Sequence, residues 1–356
     1  AKWRSYTLLI FSYLFFWSFS EKLIIYLIGT TFLTHHICIW MDTMDKRDKR
    51  KKRVFQLGIL LLLGTILCLK YRNFFFGNVS KLAMVLHIDW SYQDQLIFLP
   101  IGISFYTLSA IGYMADVYWG KVKAEYSLVK TALFLGFFPV IVEGPICRWE
   151  DVEDTLFKNE SVKAENVFKG CYRIIWGLFK KMIIADRLAV LVDKVYVGYE
   201  SYSGAVIVVA AISYTIQLYM EFSGCMDMVI GSAGLFGIRL PENFSQPFFA
   251  KTCTDFWKRW HITLGVWFKN YIFYPVSISK TARKWNKFTR KHFKGDFGKY
   301  VARMGIAAMA LFPVWISNGL WHGPKWNYIF YGLYYFGLIF MGLALEPVRD
   351  RILAVL

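Results

Sequence analysis

Val54-Phe55-Gln56-Leu57-Gly58-Ile59-Leu60-Leu61-Leu62-Leu63-Gly64-Thr65-Ile66-Leu67-Cys68-Leu69 is apolar from end to end and does not alternate apolar with polar residues. A barrel strand needs that alternation, whereas a helix crossing a bilayer needs an unbroken apolar stretch of about 20 residues. The run therefore reads as a transmembrane helix. Residues 205–218, Ala-Val-Ile-Val-Val-Ala-Ala-Ile-Ser-Tyr-Thr-Ile-Gln-Leu, read the same way. Just upstream of the first run, in residues 42–53, Lys46, Arg47, Lys49, Arg50, Lys51, Lys52 and Arg53 crowd together. Basic loops stay on the cytoplasmic side, so this hinge orients the span.

The whole chain of 356 residues has the same character, at 56% hydrophobic, 19% aromatic and a mean hydropathy of +0.37. Those values exclude an ordinary soluble domain. The net charge of +17 sits between the apolar runs, which points to anionic lipid headgroups and away from nucleic acid. The expected fold is all-α and polytopic, a single multi-spanning domain over residues 1–356. Ala1-Lys2-Trp3-Arg4 runs straight into an apolar segment and Ala354-Val355-Leu356 stops in mid-apolar register, so further sequence is expected beyond both ends. Cys38, Cys68, Cys147, Cys171, Cys225 and Cys253 form no C-x-x-C pair and read as small buried hydrophobes. No metal site is expected.

Along the chain, residues 6–19 and 23–40 make two apolar segments around Ser20-Glu21-Lys22, with His35 and His36 read as interfacial. Residues 54–71 form the next span, and 73–91 read as a membrane-surface stretch anchored by Trp90 and Tyr92. Residues 96–118 read as another span, whose Pro100-Ile101-Gly102-Ile103-Ser104-Phe105-Tyr106-Thr107 permits close packing and local unwinding. After 128–142, Glu143-Gly144-Pro145-Ile146-Cys147-Arg148-Trp149-Glu150 brings a carboxylate and a guanidinium close together and reads as a re-entrant elbow, with an interhelical ion pair at the membrane face favoured over a direct substrate contact. Within 168–197, Lys180, Lys181, Asp186 and Arg187 require a kink or a helix facing the protein interior. Residues 205–237 embed Glu221 and Asp227 among apolar neighbours, and carboxylates there must be paired, hydrogen-bonded or protonated. The basic residues 279–303 read as a cytoplasmic loop; 304–320 lead up to His322 and 328–345 lead away.

Two stretches carry chemistry. In Asp255-Phe256-Trp257-Lys258-Arg259-Trp260-His261, Thr252 or Thr254 can cap a helix start, Asp255 suits the first turn, and Arg259 can pair with it one turn on. Trp257, His261 and Leu264 then share a face, giving an interfacial helix with His261 directed into the protein. In Ser317-Asn318-Gly319-Leu320-Trp321-His322-Gly323-Pro324, the proline ends the helix just beyond His322. A helix broken at membrane depth persists only around a protein-lined or wet cavity. An imidazole there can take and return a proton near neutral pH. On pattern alone, both histidines read equally well as structural groups bonded to a neighbour.

Asp255-Phe-Trp-Lys-Arg-Trp-His261 followed by Gly319-Leu-Trp-His-Gly323 resembles the signature of the membrane-bound O-acyltransferases, in the bacterial branch of alginate O-acetylation and teichoic acid D-alanylation proteins. Pro100-Ile-Gly-Ile-Ser-Phe-Tyr106, Phe138-Pro-Val-Ile-Val-Glu-Gly-Pro145 with Arg148, Gln217-Leu-Tyr-Met-Glu-Phe-Ser-Gly224 and Pro241-Glu-Asn-Phe-Ser-Gln-Pro247 follow in the family's order. One stretch departs: Glu221-Phe-Ser-Gly-Cys225-Met226-Asp227 stands where the branch usually has Asp-Phe-Ser-Gly-Tyr-Ser-Asp.

The resemblance implies broken or re-entrant helices around a central tunnel. It makes His322 the catalytic histidine within the membrane and His261 the second histidine on its cytosolic side. It implies no bound cofactor and a cytoplasmic thioester donor, acetyl-CoA or an acyl carrier protein, whose acyl group crosses a bacterial cytoplasmic membrane. The acceptor is a hydroxyl of an exported cell-envelope polysaccharide, a teichoic acid or a partner protein, with acetyl the first expectation and D-alanyl the alternative. An extracytoplasmic acyltransferase partner is also implied. Asn318 and Trp321 are expected to orient the imidazole or the carbonyl, Trp257, Arg259 and Asp255 to shape the donor entrance, and Glu221 and Asp227 to supply a polar lining. The competing class is a proton-coupled transporter with Glu221 and Asp227 as its relay.

Overall fold

The computed structural model describes residues 3–45, 47–158 and 162–353; Lys46 and both chain ends, on which the expectation of further sequence rests, lie outside them. The chain is 80% helical and has no strand among the described residues. Five helices, within Arg4–Asp42, Lys49–Val85, Gly204–Leu235, Gly295–His322 and Trp326–Ala344, are long and apolar enough to cross a membrane. The all-α polytopic class is as expected.

In chain order the helices are α1 (Arg4–Ser20), α2 (Ile24–Asp42), α3 (Lys49–Ile66), α4 (Arg72–Val85), α5 (Ile103–Trp119), α6 (Leu128–Gly136), α7 (Phe138–Ile141), α8 (Trp149–Leu156) and α9 (Ala164–Leu178). They continue as α10 (Asp186–Val197), α11 (Gly204–Leu235), α12 (Cys253–Arg259), α13 (Ile262–Phe268), α14 (Tyr274–Ser277), α15 (Lys280–His292), α16 (Gly295–His322), α17 (Trp326–Ala344) and α18 (Glu346–Leu353). Wide π-helical turns at Leu67–Tyr71, Phe179–Ala185 and Lys269–Phe273 join α3 to α4, α9 to α10 and α13 to α14. The chain divides into two compact units, residues 1–59 with 100–245 and residues 60–99 with 246–356.

In the first unit α1 and α2 fold back on each other at Glu21, so that the Tyr13 hydroxyl meets Thr31 at 3.2 Å. α5 is the most enclosed element, with Tyr113 and Met114 fully buried. It begins at Ile103 rather than Leu96, because Gly102 takes φ +67° and lies so close to the Ile141 carbonyl that a Cβ there would fall 1.7 Å from the oxygen. His35 is buried and bonded to Thr131 at 3.1 Å, so of the two interfacial histidines expected only His36 is exposed. Cys38 and Cys147 are buried as expected, whereas Cys68 and Cys171 are exposed. Arg148 pairs locally with Glu150 at 2.5 Å and Asp151 at 2.8 Å, both in the start of α8 that it caps.

The charges in residues 168–197 show both expected behaviours. The helix widens at Phe179–Ala185, and Lys180 and Lys181 turn toward α11. Asp227 on α11 is held by Lys180 at 2.6 Å and Arg173 at 3.1 Å, and Glu221 by Lys181 at 2.7 Å.

In the second unit helix continues past Tyr71 to Val85, so residues 73–85 are helical. The polar Lys70 and Tyr71 are accommodated in the chain of helix because both find carbonyl partners on α16. The basic segment expected as a loop is the helix α15: Ser279 caps it by accepting from the Ala282 amide at 3.2 Å, and Ala282 and Thr289 are buried. Trp285, between them on the same face, donates to the Val301 carbonyl of α16 at 3.4 Å. α16 and α17 form an extended pair.

Candidate active site

α12 starts as the sequence predicts, with Thr252 Oγ1 accepting from the Asp255 amide at 3.0 Å and Arg259 Nε donating to Asp255 Oδ1 at 3.0 Å. The guanidinium holds the Asp255 carboxyl below the usual carboxylate range. The helix does not continue to Leu264. It stops at Arg259, and His261 takes a left-handed backbone, φ 46° and ψ 53°, before α13 begins. A non-glycine residue in that region is uncommon and costs energy, and such positions gather at functional sites. The elbow buries His261 to 4% exposure. Burial pushes its imidazole well below the ordinary histidine range, and His322 close by pushes in the same direction, so His261 is neutral at physiological pH.

α16 ends at His322, where Gly323 is extended and Pro324 blocks further helix. The last turn leaves carbonyls without intrahelical partners. Two of them are claimed from far away in sequence: Lys70 Nζ donates to the Trp321 oxygen at 2.6 Å and the Tyr71 hydroxyl to the Leu320 oxygen. An ammonium at the negative end of a helix dipole is favourable in itself. One turn back, Gly319 packs against α17, where a Cβ would fall 2.2 Å from the Tyr328 carbonyl, and a Cβ on Gly332 would fall 2.3 Å from that of Trp315.

These elements enclose a cavity of about 370 Å³ whose lining includes Trp257, His261, Trp315, Asn318 and His322. Aromatic rings frame it. Trp257 lies 5.0 Å from Trp315 and 4.9 Å from Tyr335; Trp321 lies 5.6 Å from His261 and 5.0 Å from His322. His322 is exposed, and Tyr331 stands edge-on to it at 5.6 Å. The Asn318 side-chain oxygen is buried with no hydrogen-bond partner among the described residues, so a donor group entering the cavity has an acceptor waiting.

A model of the membrane-bound O-acyltransferase family matches residues 122–291, which includes the Asp255 to His261 stretch. The chain is also 31% identical over 334 residues to the probable alginate O-acetylase AlgI of Pseudomonas putida, an overlap covering 94% of this chain and 64% of that protein. These matches make the chain similar to the membrane-bound O-acyltransferases. It is 29% identical to the peptidoglycan O-acetyltransferase of Helicobacter pylori, over 96% of this chain and 64% of that one. To the teichoic acid D-alanyltransferase of Bacillus subtilis it is again 29% identical, over 66% and 56%. The chain thus spans less than two thirds of the length of these relatives.

Of the residues singled out from the sequence, His322, His261, Asn318 and Trp257 line the one cavity, and Trp321 packs against both histidines. Asp255 and Arg259 pair with each other at the base of α12. Glu221 and Asp227 lie on α11 in the first unit and are taken up by ion pairs there. Lys70 and Tyr71 escaped sequence reasoning. The one signal available was a lysine and a tyrosine interrupting an otherwise apolar helix, where burial of an ammonium demands a partner.

Proposed function

We propose that this chain forms the catalytic centre of a membrane O-acyltransferase, moving an acyl group, acetyl first, from a cytoplasmic thioester to a hydroxyl on a cell-envelope polymer or partner. The observation that carries the reading is the cavity shared by His261, His322 and Asn318, in a chain similar to this family. His322 serves as general base. It takes the proton from the acceptor hydroxyl as that oxygen attacks the thioester carbonyl carbon; the carbon–sulfur bond then breaks, and the proton passes to the departing thiolate. Acetyl-CoA or an acyl carrier protein fits the donor role. His261, neutral and buried, offers a hydrogen-bonding group that does not compete as a charge, and Asn318 offers an acceptor to the bound acyl arm. Trp257 and Trp321 fix the walls against which that arm lies.

The relatives are named for alginate, peptidoglycan and teichoic acid, which supports an acceptor of that kind, and polysaccharide O-acetylation is the first choice because the longest overlaps are with O-acetylating proteins. An extracytoplasmic partner that completes the transfer belongs to the same reading. The transporter alternative is the weaker reading, since each α11 carboxylate is taken up in an ion pair with a lysine or arginine.

The test is His322→Ala with acyl transfer measured in membranes and the amount of folded protein measured alongside. General-base catalysis contributes about a hundred- to ten-thousand-fold, and a loss of that order is expected. Transfer at the wild-type rate removes His322 from the chemistry.

A further inference from the structure

The first unit carries a polar groove of about 990 Å³ between the start of α9 and the end of α11. Its frame is tied together. Arg4, at the head of α1, donates to the Lys158 carbonyl at 2.5 Å and to the Phe236 carbonyl at 2.8 Å, and the Arg239 amide donates to Thr155 Oγ1 at 3.1 Å. Because α1 and α2 fold back on each other, Arg4 lies at the same membrane face as Asp42 and as Lys49-Arg50-Lys51-Lys52-Arg53, which open α3. The positive-inside rule makes that face cytoplasmic, so the groove lies at the cytoplasmic leaflet.

Its charge is lopsided. Six cations line it, Arg4, Lys158, Lys163, Lys169, Arg173 and Arg239, against three carboxylates, Asp154, Glu165 and Glu242. Two of the carboxylates are already engaged, Glu165 by Lys169 at 2.6 Å and Glu242 by Arg173 at 2.6 Å. Lys163 and Arg239 are exposed. Lys163 also stands at the N-cap of α9, the positive end of that helix dipole, where a cation is disfavoured until an anion joins it. The other face of α9 separates a lipid from a free phosphate. Phe168, Tyr172, Ile175 and Trp176 recur at helical spacing and are exposed, Phe168 to 75% and Tyr172 to 69%. Lys169 and Arg173 follow Phe168 and Tyr172 by one residue, so a cationic edge borders an apolar stripe along the helix. A stripe of that kind is covered by acyl chains and not by water. The groove has room for about 30 waters at the share each has in the liquid, enough for a phosphate together with its glycerol. Basic pockets between helices on the cytoplasmic side suit anionic headgroups.

We infer that this groove seats the headgroup of an anionic phospholipid from the cytoplasmic leaflet, with Lys163 and Arg239 on its phosphate and its acyl chains along Phe168, Tyr172 and Ile175. The site belongs to the first unit and stands whether or not His322 is the base. The experiment is native mass spectrometry of the purified full chain in detergent, titrated with phosphatidylglycerol and, for comparison, with zwitterionic phosphatidylcholine, inorganic phosphate and coenzyme A. Wild type is expected to bind one phosphatidylglycerol at least about tenfold more tightly than phosphatidylcholine. Lys163→Gln with Arg239→Gln should weaken that lipid by about fivefold for each charge removed and about thirtyfold for the pair. Removing the same number of exposed charges from α15, Lys280→Gln with Lys284→Gln, should leave its affinity unchanged. Phosphatidylglycerol should also raise the melting temperature of wild type above its value in phosphatidylcholine, and the Lys163 and Arg239 double variant should lose that rise. Equal affinity of wild type for the two lipids overturns the proposal, and so does an unchanged affinity in the double variant or an equal loss in the α15 pair. Displacement of the bound lipid by inorganic phosphate or coenzyme A overturns it as well, because the groove would then be a site for a free phosphate.

Discussion

Lys70 is 251 positions from Trp321, yet its ammonium sits 2.6 Å from that residue's carbonyl oxygen, one peptide away from the proposed base. Together with Tyr71 it closes the open end of α16, so it acts on His322 by positioning and not by touching the reacting atoms. A hydrogen bond to a charged group contributes about 1.5–3 kcal/mol, enough to set how the last turn sits. Lys70→Met is expected to lower kcat by about tenfold or more while the donor KM changes little, because the cavity walls are untouched. Lys70→Arg should restore much of the rate, since it returns a cation to the same carbonyl. A purely structural lysine would lower yield and melting temperature and leave kcat per folded molecule alone. This contact also marks where reading the sequence stops. The helix end at His322 was legible because Gly323-Pro324 fixes it from local chemistry alone. Lys70 was not, because its partner is set by how two distant helices meet.

At the scale of the element, α16 and α17 approach closely enough that glycine is required at the crossing. A Cβ at Gly319 would meet the Tyr328 carbonyl at 2.2 Å, and the same substitution at Gly332 would meet that of Trp315 at 2.3 Å. These are backbone atoms, which cannot swing aside. Gly319→Ala or Gly332→Ala must therefore push the helices apart, at a cost of about 1–3 kcal/mol for overpacking. The expected outcome is a lower midpoint of thermal unfolding in detergent together with a loss of acyl transfer larger than the loss of folded protein, since Asn318 and His322 ride on the displaced segment. Helix ends of this kind are legible where proline, glycine or a capping residue marks them. Thr252 announces α12, and Ser279 announces α15 although the lysines around it disguise the helix as a loop. The break at His261 has no such marker. A left-handed histidine is not encoded by its own chemistry but imposed by the packing that buries it. The face shared by Trp257, His261 and Leu264 was thus argued from a helix that stops short, even though all three do line the cavity.

For the whole molecule the decisive question is what the charges in the membrane-length segments do. The composition correctly forced a polytopic helical chain, and it correctly demanded partners for Glu221 and Asp227, but it was silent on which cations they find. The answer is a seam between α11 and the widened turn after α9, where the Asp227 side chain is 13% exposed and that of Lys180 15%. Asp227 also accepts from Arg173, whose guanidinium reaches on to Glu242 at 2.6 Å. Such a network stabilises chiefly by avoiding the alternative. Removing one member leaves its partners charged in a poorly hydrated place, which costs about 3–5 kcal/mol at full burial and about 2–3 kcal/mol with this degree of exposure. Asp227→Asn is therefore expected to lower stability by that amount in denaturant titrations. Adding Lys180→Gln should recover part of the loss, because the second change removes the stranded cation. Acyl transfer per folded molecule should stay within about threefold of wild type, since two to three kcal/mol taken from global stability need not reach the barrier to the chemical step. A proton relay would behave in the opposite way, because its carboxylate must lose and regain a proton in each cycle: Asp227→Asn would stop turnover while leaving the fold intact, and the double variant would rescue nothing.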